Sequence, residues 1–278
     1  MFKNNYHTHM RFCNHAYGDV EDYVKAAINF GFDELGMSDH DPVPVDRLTD
    51  EMYKSFDCPK NMSLEQFELY IKQIDDCKKK YPNIKILKGL ECEYLYGMDD
   101  FYQYLRSKLD YLILGIHYFM YDGKGANTYA GLNKDTVKGY IENADRAFAT
   151  GLYKYFAHPD LFFYKYKDEN GVHVFDELCV ETTYKLIDIA VKYDVYFEIN
   201  CNGLNHCRGN KEDFNDWIYP NINFWRIVKD YQDKNPGKLK LIIGADSHHP
   251  QDLYNDHVVK TLRFIDYLGL KVEDKCKF

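Results

Sequence analysis

The sequence predicts an α/β fold whose strands curl into a closed or nearly closed (β/α) barrel. Three observations carry the prediction. About seven short apolar runs alternate with amphipathic segments along the chain. The runs are continuously apolar, as parallel strands buried on both faces are, and not alternating. Nearly every run ends close to a histidine, aspartate, glutamate or asparagine. Such ends meet at one place only if the sheet closes into a ring, where chemistry gathers at the C-terminal ends of the strands. A doubly wound open sheet is the alternative, and it would leave those ends spread along an edge.

The first run closes with Tyr6-His7-Thr8-His9. A helix follows over 19–30, with Val20, Tyr23, Val24, Ala27 and Ile28 on one face and Gly31 as its stop. The second run, Leu35-Gly36-Met37-Ser38-Asp39-His40, leads into a long irregular loop over 41–62. Ser63 and Gln66 form a capping box for a helix over 63–80. The third run ends at Glu91 and precedes a short helix over 99–108. The fourth ends Gly115-Ile116-His117 and opens a second long loop over 118–133, before a helix over 133–150 ended by Gly151. Phe156-Ala157-His158-Pro159-Asp160 leads to a polar turn over 165–172 and a helix over 180–193. Tyr196-Phe197-Glu198-Ile199-Asn200 precedes a helix over 221–231. The last run ends Gly244-Ala245-Asp246-Ser247-His248 and is followed by a helix over 257–268. Both long loops fall on one rim and are expected to cover a substrate, with the polar turn beside them.

A chain of 278 residues with 45% hydrophobic content fits a single barrel domain over 1–278. The net charge of −9 and the lack of a long basic run exclude an ordinary nucleic-acid partner; Lys78-Lys79-Lys80 reads as a solvated helix end. The first residues lack the apolar core of a signal peptide, and no run is long enough to span a membrane, so a cytoplasmic protein is expected. The eight cysteines form no CxxC pair, which suits buried thiols in a reducing compartment. The tyrosine-rich 17% aromatic content reads as packing.

The run ends define a metal site. On a strand, residues two apart point the same way, so His7 and His9 can grip one ion, and Asp246 and His248 repeat that spacing. His15, His40, Glu91, His117 and His158 add further donors. Nine such ligands are too many for one ion, which takes about four to six. Two or three divalent ions are therefore expected, with a carboxylate such as Glu91 bridging. Mixed imidazole and carboxylate donors favour Zn, Mn or Fe. Ions a few ångströms apart acidify a shared water and clamp the attacking and leaving oxygens of a phosphoester.

In its order of motifs, His7-x-His9, His15, Ser38-Asp39-His40, Glu91, His117, His158-Pro159-Asp160 and Asp246-x-His248, the whole chain resembles the polymerase and histidinol phosphatase (PHP) family. Glu198-Ile199-Asn200-x-x-Gly203-Leu204 and Tyr219-Pro220 are similar to its monofunctional histidinol-phosphate phosphatases. The resemblance implies a distorted (β/α)7 barrel, a TIM-like barrel of the PHP type, with a trinuclear centre. One ion would take His7, His9, Glu91 and Asp246, a second Glu91, His117 and His158, and a third His15, His40 and His248. It also implies a small-molecule phosphate ester as substrate, with L-histidinol phosphate hydrolysed in histidine biosynthesis; a nucleotide or another small ester is the alternative.

Two substrate-facing segments depart from the family pattern: 202–210, and Phe162-Phe163-Tyr164-Lys165, where relatives often place arginine. Arg208 and then Lys165 are the candidates for the cation on the phosphate. Asp160 and His206 are the candidates for the proton donor to the leaving alkoxide. Asp39 and Asp160 are also expected to orient ligand histidines, and Asn200 and Asn202 to face the substrate. Glu93 and Asp122 could meet a cationic group on the ester. Cys13 lies between His9 and His15 and could line the site; His173, His249 and His257 read as surface or capping residues.

Overall fold

The computed structural model describes residues 2–55 and 61–278. Its elements in chain order are β1 (Asn4–Asn5), α1 (Val20–Phe30), β2 (Glu34–Met37), α2 (Asp50–Ser55), α3 (Leu64–Lys80), β3 (Lys85–Cys92), α4 (Asp99–Ser107) and β4 (Tyr111–Leu114). Then come β5 (Tyr118–Tyr121), β6 (Lys124–Asn127), α5 (Thr136–Ala149), β7 (Tyr155–Phe156), α6 (Glu177–Lys192), β8 (Tyr196–Asn200), α7 (Ile222–Lys234), β9 (Lys240–Gly244) and α8 (Asp256–Leu268). Seven strands form one parallel sheet in the order β1-β2-β3-β4-β7-β8-β9. The ring is drawn nearly closed just beyond β1 and β9, where Thr8 bridges Ser247 and the His9 N–H donates to the Ser247 carbonyl at 2.8 Å. The expected barrel is therefore the observed one.

Most elements fall where periodicity puts them. The Ser63–Gln66 capping box is present on α3, with both reciprocal hydrogen bonds formed. On α1 the residues Val20, Tyr23, Val24 and Ala27 are buried, whereas Ile28 is 43% exposed and sits outside the buried stripe. α6 begins three residues earlier than expected, because the Asp176 side chain accepts from the Cys179 N–H and caps the helix there. The larger correction concerns 118–133. It holds a two-stranded antiparallel hairpin, β5 on β6, turned at Asp122-Gly123 with φ of 50° and 72°. An Asp-Gly pair between short strands is the ordinary signal for such a turn. Within the loop expected over 41–62, residues 50–55 are helical, and 56–60, with Cys58, lie outside the described residues.

The barrel interior is built largely from tyrosine. Tyr6, Tyr111, Tyr155 and Tyr196 pack with Ile113, Ala157, Ile242 and Cys276. The Tyr111 hydroxyl donates to the Tyr6 carbonyl at 2.6 Å, and its ring lies against Gly89, where an added Cβ would stand 2.3 Å from ring carbon Cζ. Below this layer the segment after α8 turns back under the barrel. The Cys276 N–H donates to the Tyr6 hydroxyl at 3.2 Å and the Lys277 N–H to the Tyr196 hydroxyl at 2.9 Å. Phe278 stacks on Tyr111 with centroids 4.2 Å apart. Deleting residues 275–278 exposes this floor, and the expected cost is about 3 kcal/mol, or a melting point lower by about 6–12 °C. Thermal unfolding of the truncated protein checks this, with catalysis at the opposite end of the barrel left intact.

Candidate metal centre

The nine ligand-type side chains predicted from the run ends come together at the C-terminal rim of the barrel. His7 and His9 lie just past β1, on the same side, with their Nε2 atoms 3.1 Å apart. Asp246 Oδ1 stands 3.6 Å from His7 Nε2 and 3.1 Å from His9 Nε2. Glu91, on β3, reaches both of these imidazoles with Oε2 at 3.3 Å. Its other oxygen lies 3.0 Å from His158 Nε2 and 3.6 Å from His117 Nε2, and those two nitrogens are 3.2 Å apart. His40 and His248 each stack on His9 at 4.4 Å, and His15 lies 5.1 Å from each of them. Donor atoms within 4.8 Å of one another group His7, His9 and Asp246, then His9, His40 and His248, and then His40, Glu91 and His117, with His158 beside Glu91 and His15 beside His40 and His248.

Outer hydrogen bonds aim several of these rings. His7 Nδ1 lies 2.7 Å from Glu198, His117 Nδ1 2.7 Å from Glu93, His15 Nδ1 2.8 Å from the Cys13 carbonyl and His248 Nδ1 3.0 Å from the Asp246 carbonyl. Each acceptor fixes the proton on Nδ1, which leaves the Nε2 lone pair for a cation. Asp39 stands 3.7 Å from His9 Nδ1, in the expected direction. Two of the gathered residues have left-handed backbone, His158 at φ 30° and Asp246 at φ 49°. Each such conformation costs on the order of 1–3 kcal/mol, and such strain collects where function over-determines the geometry.

The donor set fits divalent cations on its own observations. Glu91 and Asp246 are buried carboxylates, and Asp246 Oδ1 has no hydrogen-bond donor. Burial disfavours both charges, yet the surrounding imidazoles hold both groups well below the usual carboxylate range. Burial likewise depresses His7, but Glu198, Glu91 and Asp246 overcome it and leave the ring well above its ordinary value. Buried anions among converging lone pairs are stabilised by a shared positive charge. All nitrogen and oxygen donors suit Zn, Mn or Fe better than Mg or Ca.

The site opens into a cavity of about 350 Å³, walled by His206, Tyr118, Tyr129, Tyr219, Asn61 and Asn202 beside the ligand set. Tyr129 lies parallel to His117 at 5.5 Å, so the segment after β6 forms one wall, as expected of a covering loop. Of the two proton-donor candidates, His206 lines the cavity and its Nδ1 is 3.2 Å from the Tyr164 hydroxyl. Asp160 does not. It is fully buried beneath the rim, where its Oδ2 accepts from the Asn221 N–H at 2.7 Å and the Trp225 indole at 3.0 Å, so it holds the start of α7 and orients no ligand histidine. Burial pushes its carboxyl up to about 7, against those hydrogen bonds.

A native value above the unfolded one means that the folded chain keeps a proton the unfolded chain has lost. Stability therefore falls as pH rises between about 4 and 7. Asp160→Asn removes this dependence. The difference in unfolding free energy between variant and wild type is expected to change by about 2–3 kcal/mol between pH 5 and pH 8, measured in urea.

The cation candidates are also corrected. Arg208 is exposed and turns outward, with Nη2 2.8 Å from His173 Nε2, because the chain at 208 is pinned to the Asp216 carbonyl outside the cavity. Lys165 is exposed with Nζ over the Tyr164 ring at 5.1 Å, and its charge reaches His206 from the rim. Glu93 lines the cavity, where it also accepts from His117 and the Tyr118 N–H, whereas Asp122 is exposed at the hairpin turn away from the cavity. Asn200 and Asn202 both point to Asp246 Oδ2, at 3.1 and 3.4 Å. Cys13 is buried with its thiol 3.1 Å from the Met10 carbonyl, behind His9. His173, His249 and His257 contact Arg208, Tyr17 and Lys211 outside the site. Sequence reasoning left Glu198 and Tyr129 without roles. The signal for Glu198 was a carboxylate in the middle of a continuously apolar run.

A (β/α) barrel carrying a histidine-rich rim of metal-ligand side chains defines the class, and comparison with known proteins specifies it. Residues 5–202 match the family described as PHP domain, and this chain belongs to that family. It is 30% identical over 115 residues to a "Probable histidinol-phosphatase" of Deinococcus radiodurans, covering 40% of this chain and 41% of that protein. It is 30% identical over 117 residues to a protein of the same description from Schizosaccharomyces pombe, covering 40% and 38%. The matched stretches span about two fifths of those relatives' length. In fold it is similar to the crystal structure of a histidinol phosphate phosphatase from Lactococcus lactis complexed with Zn, L-histidinol and phosphate. The TM-score is 0.68 at 18% identity, over 98% of this chain and 95% of the other.

Proposed function

We propose that this protein is a divalent-metal phosphomonoesterase that hydrolyses L-histidinol phosphate to L-histidinol and phosphate, in histidine biosynthesis. The observation that carries the reading is the clustering of nine metal-ligand side chains, seven of which line one cavity of about 350 Å³, room enough for a small ester. The descriptions of the relatives, and of the Lactococcus structure with Zn, L-histidinol and phosphate, support the choice of substrate. One ion is assigned to His7, His9, Glu91 and Asp246, a second to Glu91, His117 and His158, and a third to His15, His40 and His248. When bound, ions of this kind acidify a coordinated water and neutralise charge on the phosphoryl oxygens.

The chain's own groups do the rest. Glu93 and Glu198 hold His117 and His7 in the ligating tautomer. Tyr129 and Tyr219 shield the cavity and face the organic half of the ester. Burial holds the His206 imidazole below its ordinary value, so it is neutral at pH 7. With the Tyr164 hydroxyl 3.2 Å from Nδ1, the tautomer that carries its proton on Nε2 would hydrogen-bond the leaving oxygen of the ester and orient it, while the proton that the alkoxide takes up comes from water.

Phosphate release from L-histidinol phosphate by the Mn- or Zn-loaded protein tests the proposal. A kcat/KM of about 10⁴ M⁻¹s⁻¹ or above is expected, far over a panel of sugar phosphates, nucleotides and diesters. A second reading, another small phosphoester, is favoured by one observation: among the described residues no arginine or lysine lines the cavity. Flat activity across the panel, or a preferred ester other than L-histidinol phosphate, would replace the first reading with the second.

A further inference from the structure

The geometry points to Glu198 as a positioning residue that sets the hold on two of the three proposed ions and leaves the third untouched. The inference rests on the metal assignment above and deepens it. Glu198 is fully buried on β8, inside the barrel beneath the ligand layer. Its two oxygens accept four hydrogen bonds. Oε1 takes the His7 Nδ1–H at 2.7 Å and the Tyr155 hydroxyl at 2.9 Å. Oε2 takes the backbone N–H of His158 at 2.7 Å and the Asn200 side chain at 3.2 Å. Asn200 Nδ2 in turn lies 3.1 Å from Asp246 Oδ2.

Four donors on two oxygens can be met only by a carboxylate, because a protonated acid or an amide would set a donor against a donor. The same group also comes so close to β9 that a Cβ on Gly244 would stand 1.5 Å from Oε1, so only glycine leaves it room. One side chain thereby fixes the ring of His7, the strained backbone of His158 and, through Asn200, the carboxylate of Asp246. These ligands come from three strand ends and from two of the three proposed ions. Among the described residues that Glu198 contacts, none is His15, His40 or His248, which instead meet the backbone carbonyl of Cys13, the Glu91 carboxylate and the backbone carbonyl of Asp246.

Outer groups of this kind change metal affinity by about 10–100-fold. The test is a competitive titration of the whole metal-free protein with Co²⁺, read both as stoichiometry and as the visible spectrum. Wild type is expected to take up three ions. In Glu198→Gln two should weaken by about 10–100-fold, while the third keeps its affinity and its Co²⁺ absorption bands. Asn200→Ala cuts the link to Asp246, with the Asn200 bonds to Glu198 and the Gly203 N–H, but leaves Glu198 its bonds to His7 and His158; it should weaken one ion alone and remains informative where the first variant folds poorly. Equal weakening of all three ions, or of none, would overturn the inference and leave the metal assignment standing. A wild-type protein that binds no Co²⁺ would overturn the metal assignment, and this inference with it.

Discussion

Replacing Glu91 by glutamine is expected to cost on the order of 10³-fold or more in kcat, equivalent to about 4 kcal/mol of transition-state stabilisation. Glu91 stands among five of the gathered histidines. One oxygen lies 3.3 Å from both His7 and His9 and 3.5 Å from His40, and the other 3.0 Å from His158 and 3.6 Å from His117. Glutamine keeps the volume but removes the charge and turns an amide N–H toward lone pairs that are meant for cations. The measurement is phosphate release with metal content determined in parallel. A variant within tenfold of wild type and with full metal content would show that the site works without this carboxylate.

Stripping the metal should lower the melting temperature by about 10 °C. A site held at about a thousand times its dissociation constant contributes about 4 kcal/mol, and a chain of this size shifts by about 2–4 °C per kcal/mol. The physical origin is the burial of Glu91 and Asp246 with an oxygen of Asp246 that no donor satisfies. In the stripped protein His7 and His9 can supply part of the missing charge. Their values in the folded chain lie well above 6.5: burial depresses both, but Glu198 and the other facing carboxylates overcome it for His7, and Asp246 and Asp39 for His9. A raised native value gives stability that is fully present below about 6.5 and is lost as pH climbs through the raised values. The stripped protein should therefore lose further stability between pH 7 and pH 9. Scanning calorimetry with and without chelator decides it. Superimposable curves would mean that the ligand cluster is stable as bare side chains.

How much of this was legible in the sequence depends on what carried each feature. The barrel was, because continuous apolar runs alternating with amphipathic helices leave few other solutions. So was the gathering of the nine ligands, since residue types at run ends map onto one rim. The hairpin was missed although Asp122-Gly123 announced it, because the run Tyr118-Phe119-Met120-Tyr121 was read as part of a loop. Arg208 and Asp160 were misjudged for another reason: where a loop side chain points is decided by tertiary hydrogen bonds, here to Asp216 and His173 for one and to Asn221 and Trp225 for the other. Glu198 was hidden because a charge inside an apolar strand has no local partner to explain it. Its partners come from the segment after β1, from β7 and the segment after it, and from β8 itself.

The pairing of residues 8 and 247 across the seam of the ring sets the order in which the molecule can mature. Contacts between segments some 240 residues apart form late and slowly, since so much chain must be ordered before they are rewarded. His7 and His9 leave the ribosome long before Asp246, by on the order of 10–50 s at ordinary elongation rates. During that interval a nascent chain offers loose imidazoles and no finished cage. Ion capture is thus a closing event of synthesis, and refolding from urea should show a slow final phase that added Zn²⁺ or Mn²⁺ drives to completion while earlier phases keep their rates.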